Sequence, residues 1–212
     1  MNDKNSEKAK QISLGFTDQT FEPGVHICQI FTDEDERHNA LIDYVVSGLK
    51  GGENVACFTE NETNESLTKG FTENGFSYDE ITGDGLFSLS DTHNTYFKDN
   101  KFDPDKMLGV LKGFYEASMD RNCNGARAIG EMTNEIESVE GGSRWFEYES
   151  RVSLLIRKHP VNIVCQFDAR TFKGETLMGI LKVHPYMIIR GSVVTNPFYI
   201  KPEEYLSKIK SN

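Results

Sequence analysis

From Gly24 onward, short apolar runs alternate with longer stretches of helical periodicity, and this alternation restricts the fold more than any other feature. Val25–Phe31 (VHICQIF), Asn54–Thr59 (NVACFT), Gly85–Ser90 (GLFSLS), Ala126–Thr133 (ARAIGEMT), Val161–Phe167 (VNIVCQF) and Met187–Val194 (MIIRGSVV) read as strands. Between and after them, Glu34–Leu49, Glu62–Asn74, Asp103–Arg121, Ser143–His159, Gly174–His184 and Pro202–Ile209 read as helices. In the first of these, Leu41, Ile42, Val45, Val46 and Leu49 fall on one side and Gly51-Gly52 ends the pattern. Asp103 as N-cap with Pro104 in the first turn opens the third. Several strands are apolar throughout rather than alternating, so both faces of the sheet must be covered. The expectation is an α/β chain with a three-layer, mostly parallel sheet flanked by helices. No linker or repeat interrupts it. Residues 21–212 therefore read as one domain, after a flexible polar segment, 1–20, with one short turn at most.

Composition narrows the function classes. The 212 residues suit one domain, and the formal net charge of −10, with no basic run, argues against direct nucleic-acid binding. No stretch is apolar enough for a signal peptide or a membrane span, so a cytoplasmic protein is expected. Cys28, Cys57, Cys123 and Cys165 show no CxxC pair and read as free thiols.

In open parallel sheets ligands sit outside the carboxyl ends of the strands. Those ends here carry Phe31 and Thr32, then Glu60, then Glu131, then Asp168 and Arg170. These six residues are the candidate ligand-binding set, with Arg170 positioned to neutralise one carboxylate. Acidic residues also follow strands because they cap helices, so capping stands as the competing explanation. A second constellation is His26 and Cys28, two apart on one strand face, with Cys165 on a neighbouring strand. It reads as a metal or thiol cluster, or as buried core filler.

The segments GGENVACFTENETNESL (51–67), GLFSLSD (85–91), FDPDKMLGVL (102–111) and ARAIGEMT (126–133) resemble, in order, the circadian-clock ATPases of the RecA-like class. The departure lies after the first strand. A Walker A loop, GxxxxGK[ST], cradles phosphates there, whereas this chain reads FTDEDERHNAL, with no glycine, no lysine and four acidic residues among five charges. The fuller resemblance is to the MEDS family, the methanogen and methylotroph sensory domain named for a regulator of dichloromethane use. It is carried by GVHICQIF, GGENVA, GEMT, FEYESR, HPVNIVCQFD and HPxxI…NPFYIxP over roughly residues 24–202.

That resemblance implies a RecA-like fold without catalytic activity and with no cofactor. It implies sensing of a small organic, hydrocarbon-derived compound. It also implies a stand-alone sensor acting through a partner such as a histidine kinase or transcription regulator, with oligomerisation open. Two other readings stay open: a degenerate nucleotide-binding protein, and a thiol-based metal or redox sensor.

Overall fold

Each apolar run that the sequence marks as a strand finds neighbours that cover both its faces. In the computed structural model, which describes residues 10–210, the chain opens with an antiparallel pair, β1 (Ile12–Ser13) and β2 (Thr20–Phe21). There follow β3 (His26–Phe31), α1 (Glu34–Lys50), β4 (Glu53–Phe58), α2 (Asn64–Glu73), α3 (Tyr78–Gly83), β5 (Phe87–Ser90) and α4 (Thr92–Tyr96). Then come α5 (Pro104–Asp120), β6 (Gly125–Glu131), α6 (Trp145–Leu155), β7 (Val161–Asp168), α7 (Gly174–Val183), β8 (Tyr186–Ile189), β9 (Ser192–Thr195) and α8 (Pro202–Lys210). The main sheet has seven strands in the order β5-β4-β6-β7-β3-β8-β9, and every pairing is parallel except β8 with β9.

Strand periodicity sends alternate side chains to two separate cores. On one face Ile27, Val55, Cys57, Ile129 and Val164 meet Leu41, Ile42 and Val45 of α1 and Leu67 and Phe71 of α2. On the other, Cys28, Ala126, Ala128, Ile163 and Phe167 meet Leu108 and Leu111 of α5, Trp145, Tyr148 and Val152 of α6, and Ile180 of α7. Each such large side chain, fully buried, contributes about 1.5–3 kcal/mol of apolar transfer energy. The caps agree with the sequence: Asp33 accepts the Asp35 and Glu36 amides at the start of α1, and Asp103 does the same for Asp105 and Lys106 before Pro104 opens α5.

Two expectations are corrected. The polar lead-in is not free over its described part, since Ile12 and Leu14 are buried in the first core. Gly15 permits this: at φ +87° its missing Cβ would lie 2.0 Å from the Asp43 carbonyl oxygen, so only glycine lets the segment lie on α1. Arg127 then fastens it, donating to the carbonyls of Ser13 and Tyr44 while pairing with Glu53. The remainder of that segment, residues 1–9, lies outside the described residues. The second correction concerns Met187–Val194, which is a hairpin rather than one strand. Arg190 and Gly191 both take positive φ (49° and 74°), the pattern of a two-residue turn that folds β9 back on β8.

Candidate functional site

At the carboxyl end of β3, the place a phosphate loop would occupy is filled. Arg37, in the first turns of α1, turns inward and is almost fully buried. Its guanidinium donates to Glu34 and to Glu62, both within 2.8 Å, and lies 5.9 Å from the centre of the Phe31 ring. Burial opposes the charge on Arg37, but the bonds to Glu34 and Glu62 outweigh it and raise its pKa further. His38 also meets Glu62, at 2.8 Å. The charges at this edge therefore neutralise one another.

The six predicted ligand-binding residues do not line one hollow. Phe31 is core beneath Arg37, and Thr32 is exposed. Glu60 is exposed and accepts the His93 amide at 2.6 Å, a capping role. Asp168 and Arg170 pair with each other at the surface, and Arg170 also pairs with Glu34. Arg170 thus does neutralise carboxylates, but outside any cavity. Of the four charged members Glu131 alone turns inward, held by Thr59 Oγ1 at 2.9 Å and Asn61 Nδ2 at 2.5 Å. Burial raises its carboxyl above the usual range, against the pull of Arg37.

On the second-core face of the sheet, away from the Glu131 carboxylate, the segment Gly130, Glu131 and Met132 borders a small, partly open cavity of about 20 Å3. That volume holds one water-sized guest. Apolar side chains, among them Phe58, Leu111, Met132 and Ile163, form most of its wall, and the polar side chains are those of Tyr96, Tyr148, Glu149 and Cys165. Gly130, paired across the sheet with Cys165, leaves the space: a Cβ there would meet only Tyr96 Oη at 3.7 Å and Phe58 Cβ at 3.8 Å.

Beyond that wall, among the described residues, His26 of β3, Glu149 of α6, Cys165 of β7 and His184 after α7 bring one ligand atom each to within 4.8 Å of the others. The two imidazole rings lie 4.2 Å apart between centres. His26 Nε2 is 3.2 Å and His184 Nε2 3.6 Å from the same carboxylate oxygen, Glu149 Oε2, and Cys165 Sγ is 3.7 Å from His26 Nε2. The outer atoms are tied: His184 Nδ1 donates to the Ile180 carbonyl, His26 Nδ1 meets Ser153 Oγ, and Trp145 Nε1 donates to Glu149 Oε1. Burial drives both imidazoles down to about 3 and raises the carboxyl of Glu149 and the thiol of Cys165.

The register expected from the sequence is present, with Cys28 opposite Cys165. Yet Cys28 points its thiol at the Tyr186 carbonyl, 3.5 Å away, and is not one of the four. Sequence reasoning missed Glu149 and His184. Glu149 sat inside a helix whose visible pattern was the Glu147–Arg151 ion pair, which does form, and His184 stood where a helix ends, which it also does. The one available signal was a carboxylate three residues before an apolar Val152, on the inward face of α6.

The profile of the family described as MEthanogen/methylotroph, DcmR Sensory domain matches residues 25–185. Among solved structures, the fold is similar to that of a KaiC-like protein from Pyrococcus horikoshii (12% identity, 85% of this chain and 80% of that one, TM-score 0.58). It is similar also to the flagellar accessory protein FlaH from Methanocaldococcus jannaschii (12% identity, 88% and 84% covered, TM-score 0.59). A third is an uncharacterised Pyrococcus horikoshii protein in complex with an unknown peptide (13% identity, 87% and 91% covered, TM-score 0.57). At such identities the likeness establishes the RecA-like fold alone. No curated protein matches the chain. Among the described residues no helix is long and apolar enough to cross a membrane.

Proposed function

The chain belongs to the methanogen/methylotroph DcmR sensory domain family, and from that premise we propose that it is a non-catalytic module that detects a small organic compound in the cavity beside Glu131. The observation that carries the proposal is the cavity itself: small, mostly apolar, and furnished with a few polar groups able to orient a guest. In this state it admits one water-sized guest, so a hydrocarbon derivative of a few heavy atoms enters by displacing the side chains that close over it. Two tyrosines, Tyr96 and Tyr148, and the carboxyl group of Glu149 supply donors and acceptors at its polar end.

A nucleotide reading has less support. Asp33 is spent as an N-cap, and Arg37 and Glu62 occupy the interior where a phosphate would need backbone amides and a lysine. Catalysis of ATP hydrolysis is accordingly no part of the proposal. The signal passes to a separate partner of the histidine-kinase or transcription-regulator kind, in the cytoplasm.

The test is thermal denaturation of the metal-free protein with a panel of one- to three-carbon alcohols, amines, carboxylates and halides. At least one class should raise the midpoint saturably. Gly130→Ala adds a methyl at ordinary contact distances and fills part of the space, so it should keep the fold and lose that response. A panel without any saturable binder, or a response indifferent to Gly130→Ala, would remove the cavity as the sensing site.

A further inference from the structure

We propose that His26, Glu149, Cys165 and His184 are the ligands of a four-coordinate zinc-class metal ion, a role separate from the recognition of an organic compound. The first reason is an electrostatic mismatch. His184 Nδ1 faces a backbone carbonyl, which only accepts, so that nitrogen carries the hydrogen and Nε2 presents a bare lone pair. That lone pair looks at Glu149 Oε2, and both atoms are buried without a hydrogen-bond partner. Two facing acceptors in a low-dielectric interior repel unless something positive lies between them.

The second reason is geometry. A zinc ion bound tetrahedrally at about 2.0–2.1 Å from nitrogen or oxygen and about 2.3 Å from sulfur needs N···O edges of about 3.3–3.4 Å and S···N edges of about 3.6 Å. The edges present are 3.2 Å and 3.6 Å for the two imidazoles against Glu149, and 3.7 Å for Cys165 against His26. These three of the six edges lie within a few tenths of an ångström of a coordination tetrahedron, and all four donor atoms lie within 4.8 Å of one another, so an ion needs only to draw the remaining edges in.

The third reason is chemistry. Two imidazoles, a carboxylate and a thiol form a nitrogen, oxygen and sulfur set suited to a borderline-soft divalent ion, and not to magnesium or calcium, which take oxygen. A bound divalent ion displaces the thiol proton to solvent, and thiolate and carboxylate together cancel its charge, so a neutral site is buried. The outer atoms are already arranged as metal sites require: each imidazole uses its other nitrogen in a bond that fixes its orientation, and Trp145 holds the distal carboxylate oxygen. Four ligands fill a tetrahedron, which marks the site as closed rather than catalytic.

The experiment uses the full chain, purified without a histidine tag, stripped with chelator and titrated with cobalt(II), then zinc(II). One equivalent of cobalt should bind with the intense near-ultraviolet absorption of a thiolate-bound ion, and zinc should displace it. Cys165→Ser should abolish that absorption, whereas Cys28→Ser should leave it intact. Glu149→Gln and His184→Asn should weaken cobalt binding at least tenfold, with circular dichroism showing that each variant retains its fold. Absence of saturable cobalt binding by the folded chain, or thiolate absorption that survives Cys165→Ser, would overturn the assignment. Neither result depends on an organic ligand, so failure here leaves the cavity reading standing, and the reverse also holds.

Discussion

Two polar clusters lie at the core of this sheet and are resolved in opposite ways. At the carboxyl end of β3, Arg37 meets Glu34 and Glu62, and His38 joins them, so cation and carboxylate are matched across α1 and the loop before α2. On the other face, Glu149 and His184 keep an oxygen and a nitrogen without partners although both are deeply buried. The first arrangement fills the edge with a cation and its carboxylates. The second leaves a debt of unsatisfied polarity, and native interiors seldom carry such groups without a reason. Arg37 Nη1 is also buried without a partner, so the distinction is one of charge: the first cluster joins a cation to carboxylates, whereas the second sets two acceptors face to face, which is what the proposed metal site rests on.

The largest expected effect tests the matched cluster. Arg37→Met leaves Glu62 buried without its cation and should cost about 3–5 kcal/mol, read from the urea midpoint. A loss near zero would mean that the edge is not held by charge pairing. The same cluster has a pH signature. Burial alone would raise the Glu62 carboxyl, but hydrogen bonds from Ser66, His38 and Arg37 hold it below its ordinary 4.5. A carboxyl depressed in the folded state adds stability above its unfolded pKa and loses it as pH falls through the folded value. Stability should therefore decline as the solution is taken below pH 4.5, and Arg37→Met should make that decline shallower.

A smaller effect of opposite sign tests the unmatched cluster. In metal-free protein, Glu149→Gln keeps an acceptor for Trp145 and places an amide donor against the bare His184 nitrogen. A gain of about 1 kcal/mol is expected in chemical denaturation. No gain at all would show that a proton already bridges Glu149 and His184. The smallest effect belongs to the exposed pair. Asp168→Asn breaks a surface contact with Arg170 that solvent screens, and the denaturation midpoint should not move beyond replicate scatter.

The parts of the molecule legible in the sequence are those governed by local periodicity. The apolar runs and the helix between Asp103 and Arg121 announce the alternating layers, because burial on both faces and N-capping act over a few residues. Less legible was Arg190-Gly191, a two-residue turn inside an otherwise continuous apolar run. The site was obscure for another reason. Glu60 and Asp168 followed the rule for open parallel sheets, but that rule does not say which side chain fills the strand end, and Arg37 was one cation among four acids. His26, Glu149, Cys165 and His184 meet only in space, from two strands, a helix interior and a helix end. Their spacing along the chain carries no pattern, although each sits inside one of the segments through which the family is visible.

The strand order also has a meaning in time. β4 finds both its neighbours, β5 and β6, within the next stretch of chain, so that half of the sheet can assemble early. β3 is made before any of them, yet its partners are β7 and β8, among the last strands to be synthesised. Pairings so distant in sequence carry a loop-closure cost that slows folding and leaves the waiting strand exposed to wrong partners. β3 brings His26, β7 brings Cys165, and His184 immediately precedes β8. The four side chains therefore come together only when the last long-range pairings close, and a chain arrested short of completion has no such cluster to offer.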